Sequence, residues 1–283
     1  MKNVRLLIGV FVIAMVSYSC SNDNEVKPDA DQIAFDAADG AIGARLYDHV
    51  LNQVGVTDTK MTSKPNFFRC KSCHGWDLLG QKGVLIDKQS SDSYPVAFSG
   101  SLMEVRQNDG IREIFDAIKN TSGRSTTSGI YDNNMPAFGE ILTDDQIWDL
   151  VKFIKETAHD VNDFYQLTTT GTYPTGSKEF SDIGRGGDPV AGLATFKAVC
   201  AGCHGQNGNK INIYCKGEYL GNMFREDPHE MQHKALWGMP NDEEHIAAGC
   251  TDAGMMPIQS ITDQDIRNMM VAGQDTVQFP GYK

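Results

Sequence analysis

Positive charge is scarce in this chain. Its 283 residues carry 25 lysines and arginines against 37 aspartates and glutamates, a formal net charge of −12 at pH 7. That balance argues against nucleic acid or an anionic membrane as a partner, since both need a basic face. Long apolar runs are also missing. The one conspicuous stretch, Leu6 to Val16, is too short to span a bilayer as a stable helix. Cysteine is sparse, with seven in all, so nearly every one can be given a chemical job.

Four of them fall into two copies of one pattern. Cys70-Lys71-Ser72-Cys73-His74 and Cys200-Ala201-Gly202-Cys203-His204 both read Cys-x-x-Cys-His, the attachment sequence of c-type haem. On a helix, residues i, i+3 and i+4 share a face. Two thiols one turn apart can each bond to a haem side group, and the adjacent imidazole then points at the iron as proximal ligand. A zinc site would need more Cys or His near each pair, yet after His74 the next cysteine is Cys200 and the next histidine His159. A thioredoxin-like dithiol would follow a strand in a βαβ unit, and neither copy does. Gly75 and Gly205 close the motifs and suit a sharp reversal of the chain.

The N-terminus reads as an export signal. Lys2 and Arg5 precede the apolar run, which ends at Ser17-Tyr18-Ser19-Cys20. Small residues before a lone cysteine resemble a bacterial lipoprotein cleavage site, with Cys20 as the lipidated residue, although Tyr18 departs from the usual box. The expected location is therefore outside the cytoplasm, anchored by lipid to the bacterial outer membrane and facing periplasm or cell surface. Loss of Lys2 and Arg5 with no acid takes the charge from −12 to −14. Lipid on Cys20 and haem on four cysteines leave Cys215 and Cys250. In an exported protein a disulfide between them is the simplest assignment.

The two halves repeat one order: helix, haem motif, variable stretch, Met-Pro loop, last helix. Expected ranges are a signal peptide over 1–19, a flexible tether over 20–35, a first domain over 36–165, a linker over 166–183 and a second domain over 184–283. In the first half Ile42, Leu46 and Val50 lie at helical spacing, and Ile111, Ile114, Phe115 and Ile118 form one face of a helix from about Gly110 to Asn120. Thr143 and Gln146 form a capping box for a last helix. In the second half Asp188-Pro189 opens a helix that runs into Cys200, a middle helix spans Asp227-Pro228 to Trp237, and Thr262 caps the last helix. The stretch after Gly273 is expected to be extended. Trp76 is expected near the first haem, as core packing rather than as an electron exit. His233 is expected to be satisfied or solvent-facing rather than a ligand, and His49, His159, His229 and His245 default to the surface.

Met135 and Met256 are the candidates for the sixth iron position. Each precedes proline on a loop well past its Cys-x-x-Cys-His, and each is followed by a capped helix. Rivals in the second half are Met255 and Met239. These residues together resemble class I cytochrome c domains, two in tandem. Gly192 to Phe196, leading into Cys200, is similar to the family's first helix, whose glycine and aromatic pack against the last helix. Tyr47 is the corresponding aromatic in the first half, separated from Cys70 by an inserted segment. The resemblance implies an all-α fold of two small helical domains, each around one covalent haem c with His/Met ligation. Cys70, Cys73, His74 and Met135 would hold one haem; Cys200, Cys203, His204 and Met256 the other.

The expected function is a dihaem electron carrier that docks with redox protein partners, with no catalytic residues. The alternatives are a haem subunit of a larger dehydrogenase or oxidase, and a dihaem peroxidase or thiosulfate-oxidising enzyme. An enzyme would need an open iron position with acid and base groups beside it; Glu104 and Arg106 have no spacing that marks them so. Cys250 lies shortly before Met256, so a disulfide would brace that loop. In a C215A/C250A variant the Met256–iron bond, read from ferric absorption, should loosen before the domain unfolds; unchanged ligation would contradict the bracing role.

Overall fold

The computed structural model describes residues 29–120, 135–213, 217–239, 254–255, 257 and 261–281. Residues 1–19, Cys20, Cys215, Cys250, His245 and Met256 lie outside them. The described residues are mostly helical, with one antiparallel hairpin. None of their helices is long and apolar enough to cross a membrane.

The first half runs through α1 (Ala30–Ala37), α2 (Gly40–Val54), α3 (Thr59–Thr62), α4 (Cys70–His74), α5 (Leu102–Asn108), α6 (Ile111–Lys119) and α7 (Asp144–Lys152). The hairpin is β1 (Gln166–Thr170) and β2 (Ser177–Ser181), with Leu167 opposite Phe180. The second half contains α8 (Pro189–Thr195), α9 (Ala201–His204), α10 (Leu220–Glu226), α11 (Pro228–Trp237) and α12 (Asp263–Ala272). A wide π turn over Phe196–Cys200 joins α8 to α9 without a break.

In each half the helix that leads toward the haem motif (α2 or α8) and the last helix (α7 or α12) cross at a glycine. A Cβ on Gly43 would lie 2.0 Å from Asp149 O, and one on Gly192 would lie 2.0 Å from Asn268 O. The residue that caps α2 or α8 hangs from the same point of the last helix. The Asp39 amide donates to Asp149 Oδ1 at 2.7 Å, and the Asp188 amide donates to Asn268 Oδ1 at 2.8 Å. Four residues beyond each glycine stands a fully buried aromatic, Tyr47 or Phe196. Each last helix begins in a capping box. Thr143 Oγ1 accepts from the Gln146 amide and Gln146 Oε1 from the Thr143 amide; Thr262 and Asp265 repeat the exchange. Such a cap contributes about 1 kcal/mol. The same set of contacts thus occurs twice at matching spacing.

The halves diverge between aromatic and haem motif. Phe196 stands one turn before Cys200. After Tyr47, α2 kinks at His49 (φ −156°, ψ 83°), ends at Gly55 (φ 69°), and is followed by α3 and a 3-10 turn over Pro65–Phe68 before α4 begins.

Three expectations need correction. Residues 166–183 are not a bare linker. The hairpin packs Leu167, Tyr173 and Phe180 onto Val84, Leu85 and Ala97. The stretch after Gly273 is turns rather than extended chain, and its Phe279 is fully buried in the second core. The described histidines read as surface are covered: His49 and His229 are buried and His159 is half-buried; His233, expected to be satisfied or solvent-facing, is buried as well. The reason is α11. Residues four apart lie on one helix face. His233 and Trp237 face the first half, Trp237 joining its core, while Met231 and Ala235 face the second core. Polar residues on this helix are buried because it is sandwiched between two cores.

Two outcomes follow. Valine at Gly43 or Gly192 should cost at least about 1–3 kcal/mol in urea unfolding, the usual penalty for overpacking. Gly202→Ala, where a Cβ meets nothing within 4 Å, should be close to neutral. Equal effects at the three positions would contradict the crossing. Second, burial pushes His229 down to about 4 from an ordinary 6.5. The unfolded chain then binds more protons than the native one between those values. The stability from neutral His229 is complete above pH 6.5 and is lost as pH falls towards 4. Asp77 and Asp227, pushed up to about 6 by burial, act in the opposite direction. The readout is therefore the difference between the parent and H229Q: the parent should lose more stability between pH 7 and 4.5, and identical slopes would contradict this account.

Candidate functional site

α4 is held by what surrounds it. Gly75 takes φ 72° and ψ 162°, and its amide bonds to Lys71 O at 2.9 Å, closing the turn. Tyr47 Oη donates to Gly75 O at 2.7 Å, and the Phe98 amide donates to Cys73 O at 2.7 Å. The Phe98 ring lies 4.9 Å from the His74 ring. The turn therefore presents Cys70, Cys73 and His74 in one direction.

They face a cavity of about 520 Å³, a volume usual for a cofactor pocket. Cys70, Cys73 and His74 line it together with Met135 and Pro136. Much of the wall is apolar: Leu102 and Val105 from α5, Ile114 and Ile118 from α6, and Leu150 from α7. Burial pushes His74 down to about 4 and both Cys70 and Cys73 up to about 12. The imidazole is therefore neutral, with a lone pair to offer. Its Nδ1 is buried with no hydrogen-bond partner among the described residues. A neutral imidazole, two thiols and a thioether around an apolar cavity fit a covalently tethered iron porphyrin.

The second motif has the same local form. Gly205 takes φ 80° and ψ 162°, and its amide bonds to Ala201 O at 2.9 Å. Cys200 is half-buried with Sγ 4.0 Å from Met269 Sδ, while Cys203 is exposed. His204 is lowered by burial, and its Nδ1 also has no partner among the described residues. Met256 lies outside the described residues, but its neighbours do not. Met239 N donates to Met255 O at 2.7 Å, and a Cβ on Gly238 would meet Met255 O and Pro257 N. The end of α11 is thus paired to the Met-Pro segment, and the two rival methionines are tied to each other.

Three residues weighed from the sequence do not line the cavity. Trp76 is buried beside Tyr47, with ring centres 5.5 Å apart, and is not among the residues lining the cavity. Glu104 is exposed and pairs with Lys82, and Arg106 Nη1 donates to Ala158 O; neither lines the cavity.

Sequence reasoning missed a buried ion cluster behind the motif. Asp48, 1% exposed, has Arg69 Nη2 at 2.6 Å and Lys71 Nζ at 3.2 Å from its Oδ1. Burial alone would raise its carboxyl, but Lys71 and Arg69 outweigh this and hold it well below the usual carboxylate range. Glu230 and Lys234 of α11 pair on the other side of the junction. The only available signal was Lys71 in a variable position of the motif, which has no meaning without the fold.

Residues 66–158 match the family described as Cytochrome c. The comparisons with curated proteins and with solved structures give no match. The chain therefore carries a cytochrome c domain over that stretch, which supports a haem-containing electron-transfer protein with covalently bound haem c. The match begins after α2, where the inserted segment separates Tyr47 from Cys70.

Asp48→Ala should cost about 3–5 kcal/mol in denaturant unfolding, because it leaves the buried Arg69 and the half-buried Lys71 without their acid. A loss below about 1 kcal/mol, the range of a surface pair, would contradict the cluster's structural role.

Proposed function

We propose that the chain is a dihaem c-type cytochrome, exported and lipid-anchored through Cys20, that transfers electrons between redox protein partners. The observation that carries this reading is the repeated crossing. Asp39, Gly43, Thr143 and Asp149 frame one Cys-x-x-Cys-His, and Asp188, Gly192, Thr262 and Asn268 frame the other at matching spacing. One frame belongs in part to the stretch similar to Cytochrome c, and its twin supports a second haem domain.

Cys70, Cys73, Cys200 and Cys203 would form the thioethers. His74 and His204 would be the proximal ligands, Met135 and Met256 the distal ones, and Cys215–Cys250 the disulfide. The bound haem supplies a one-electron ferric/ferrous couple, whose potential a thioether ligand raises. The protein's part is to hold that group still and dry. The Gly75 turn, fixed by Tyr47 Oη, sets the direction of His74. Leu102, Ile114 and Leu150 keep water from the cavity, and Pro136 stiffens the Met135 loop. With Met135 and Met256 as ligands neither iron would keep an open position, so the sites would exchange electrons without binding a substrate. Met135 on the cavity wall opposite an enzyme's needs favours the carrier over a peroxidase or thiosulfate oxidase; membership as a haem subunit of a dehydrogenase or oxidase is compatible with the same chemistry.

Carbon monoxide tests this on the matured, reduced full chain. The parent should show low-spin spectra and bind no carbon monoxide, while Met135→Ala should bind it at one haem. A parent that binds carbon monoxide stoichiometrically would favour the enzyme reading.

A further inference from the structure

We propose that Trp76 and His233 form the electron path between the two haem sites; this rests on the two-haem reading. The two rings belong to different halves of the chain. Trp76 follows His74 by two residues, and His233 projects from α11 of the second half. They stack with centres 3.2 Å apart and an interplanar angle of 29°. Both are buried, at 7% and 3% exposure.

The stack is connected at both ends. On the first side Tyr47 lines the cavity with Cys70 and His74, and its ring lies 5.5 Å from Trp76. On the second side α11 is the wall itself. His233 faces Trp76, while Met231 and Ala235, two residues to either side and so on the opposite face, are buried in the core that contains Met269. Met269 Sδ is 4.0 Å from Cys200 Sγ, the first thiol of the second motif. A chain of contacts therefore runs from one attachment turn to the other.

Electron tunnelling falls off exponentially with distance and is faster through contacting atoms than across gaps, so this packed route is favoured over any path through solvent. The step this path would serve is the exchange of one electron between a ferrous and a ferric haem held at His74 and His204, in which no bond changes and no proton is required. Trp76 and His233 remain neutral throughout. Lys71 helps to keep Trp76 so. Its ammonium lies 4.9 Å from the Trp76 ring centre, and a cation over the ring disfavours a tryptophan radical cation. The rings conduct without becoming a redox stop.

The test uses the matured full chain, with covalent haem counted by intact mass. A photoreductant delivers one electron, and the equilibration between the haems is followed optically. Spectroelectrochemical potentials and near-ultraviolet circular dichroism provide readouts that do not depend on transfer. Trp76→Leu and His233→Leu should each slow equilibration by roughly an order of magnitude with both potentials unchanged, and Trp76→Phe should recover most of the rate. Loss of the aromatic dichroism signal in His233→Leu would support the stack. Should Trp76→Leu fail to fold, Trp76→Phe and His233→Leu carry the same comparison. Two haems per chain with unchanged rates in the variants would overturn the path alone. A single haem per chain would overturn the two-haem reading, and the path with it.

Discussion

The close crossing of α2 with α7, and of α8 with α12, is the constraint on which the structure depends. Glycine at 43 and 192 lets two backbones approach to a distance that any side chain would prevent. That approach lets the carboxylate of Asp149 and the amide of Asn268 hold the incoming chain at Asp39 and Asp188. It also buries Tyr47 and Phe196 one turn further on. From Tyr47 a single hydrogen bond fixes Gly75, and through it the turn carrying Cys70, Cys73 and His74. The chemistry of the site follows from that geometry: neutral imidazole, protonated thiols and a thioether around an apolar cavity.

α11 makes one body of the two halves. It has a place in both cores, and its Glu230 and Lys234 pair with each other one turn apart along the helix. Asp48, Arg69 and Lys71 lie on one side of this junction and Glu230 and Lys234 on the other. A buried ion cluster adds little to stability compared with an apolar filling, but it penalises misalignment heavily because an unpaired buried charge is costly. The hairpin adds a second tie, resting Phe180 and Leu167 against Val84 and Ala97.

Much of this was legible beforehand because the signals were local. α6, α8, α11 and both capped last helices lie where periodicity, Asp-Pro and capping boxes place them, since each depends on neighbours within one or two turns. Cys70, Cys73, His74 and Met135, singled out from local patterns in the sequence, line one cavity. What was hidden is long-range. His229 reads as a surface residue because polar side chains usually are, and only the sandwiching of α11 buries it. Thr168 to Ser177 reads as linker because its Thr, Gly and Pro give no apolar face, yet its neighbours Leu167 and Phe180 supply one. Phe279 had no periodic context, and the turns that carry it into the second core leave no pattern.

The central claim is that the two crossings frame two covalent haems. Intact mass of the full chain matured with a c-type haem attachment system tests it directly. The account predicts a mass increase of two haems per chain, falling to one in a C200A/C203A variant that remains folded. A parent carrying a single haem, with no change in mass increment when Cys200 and Cys203 are replaced, would contradict it.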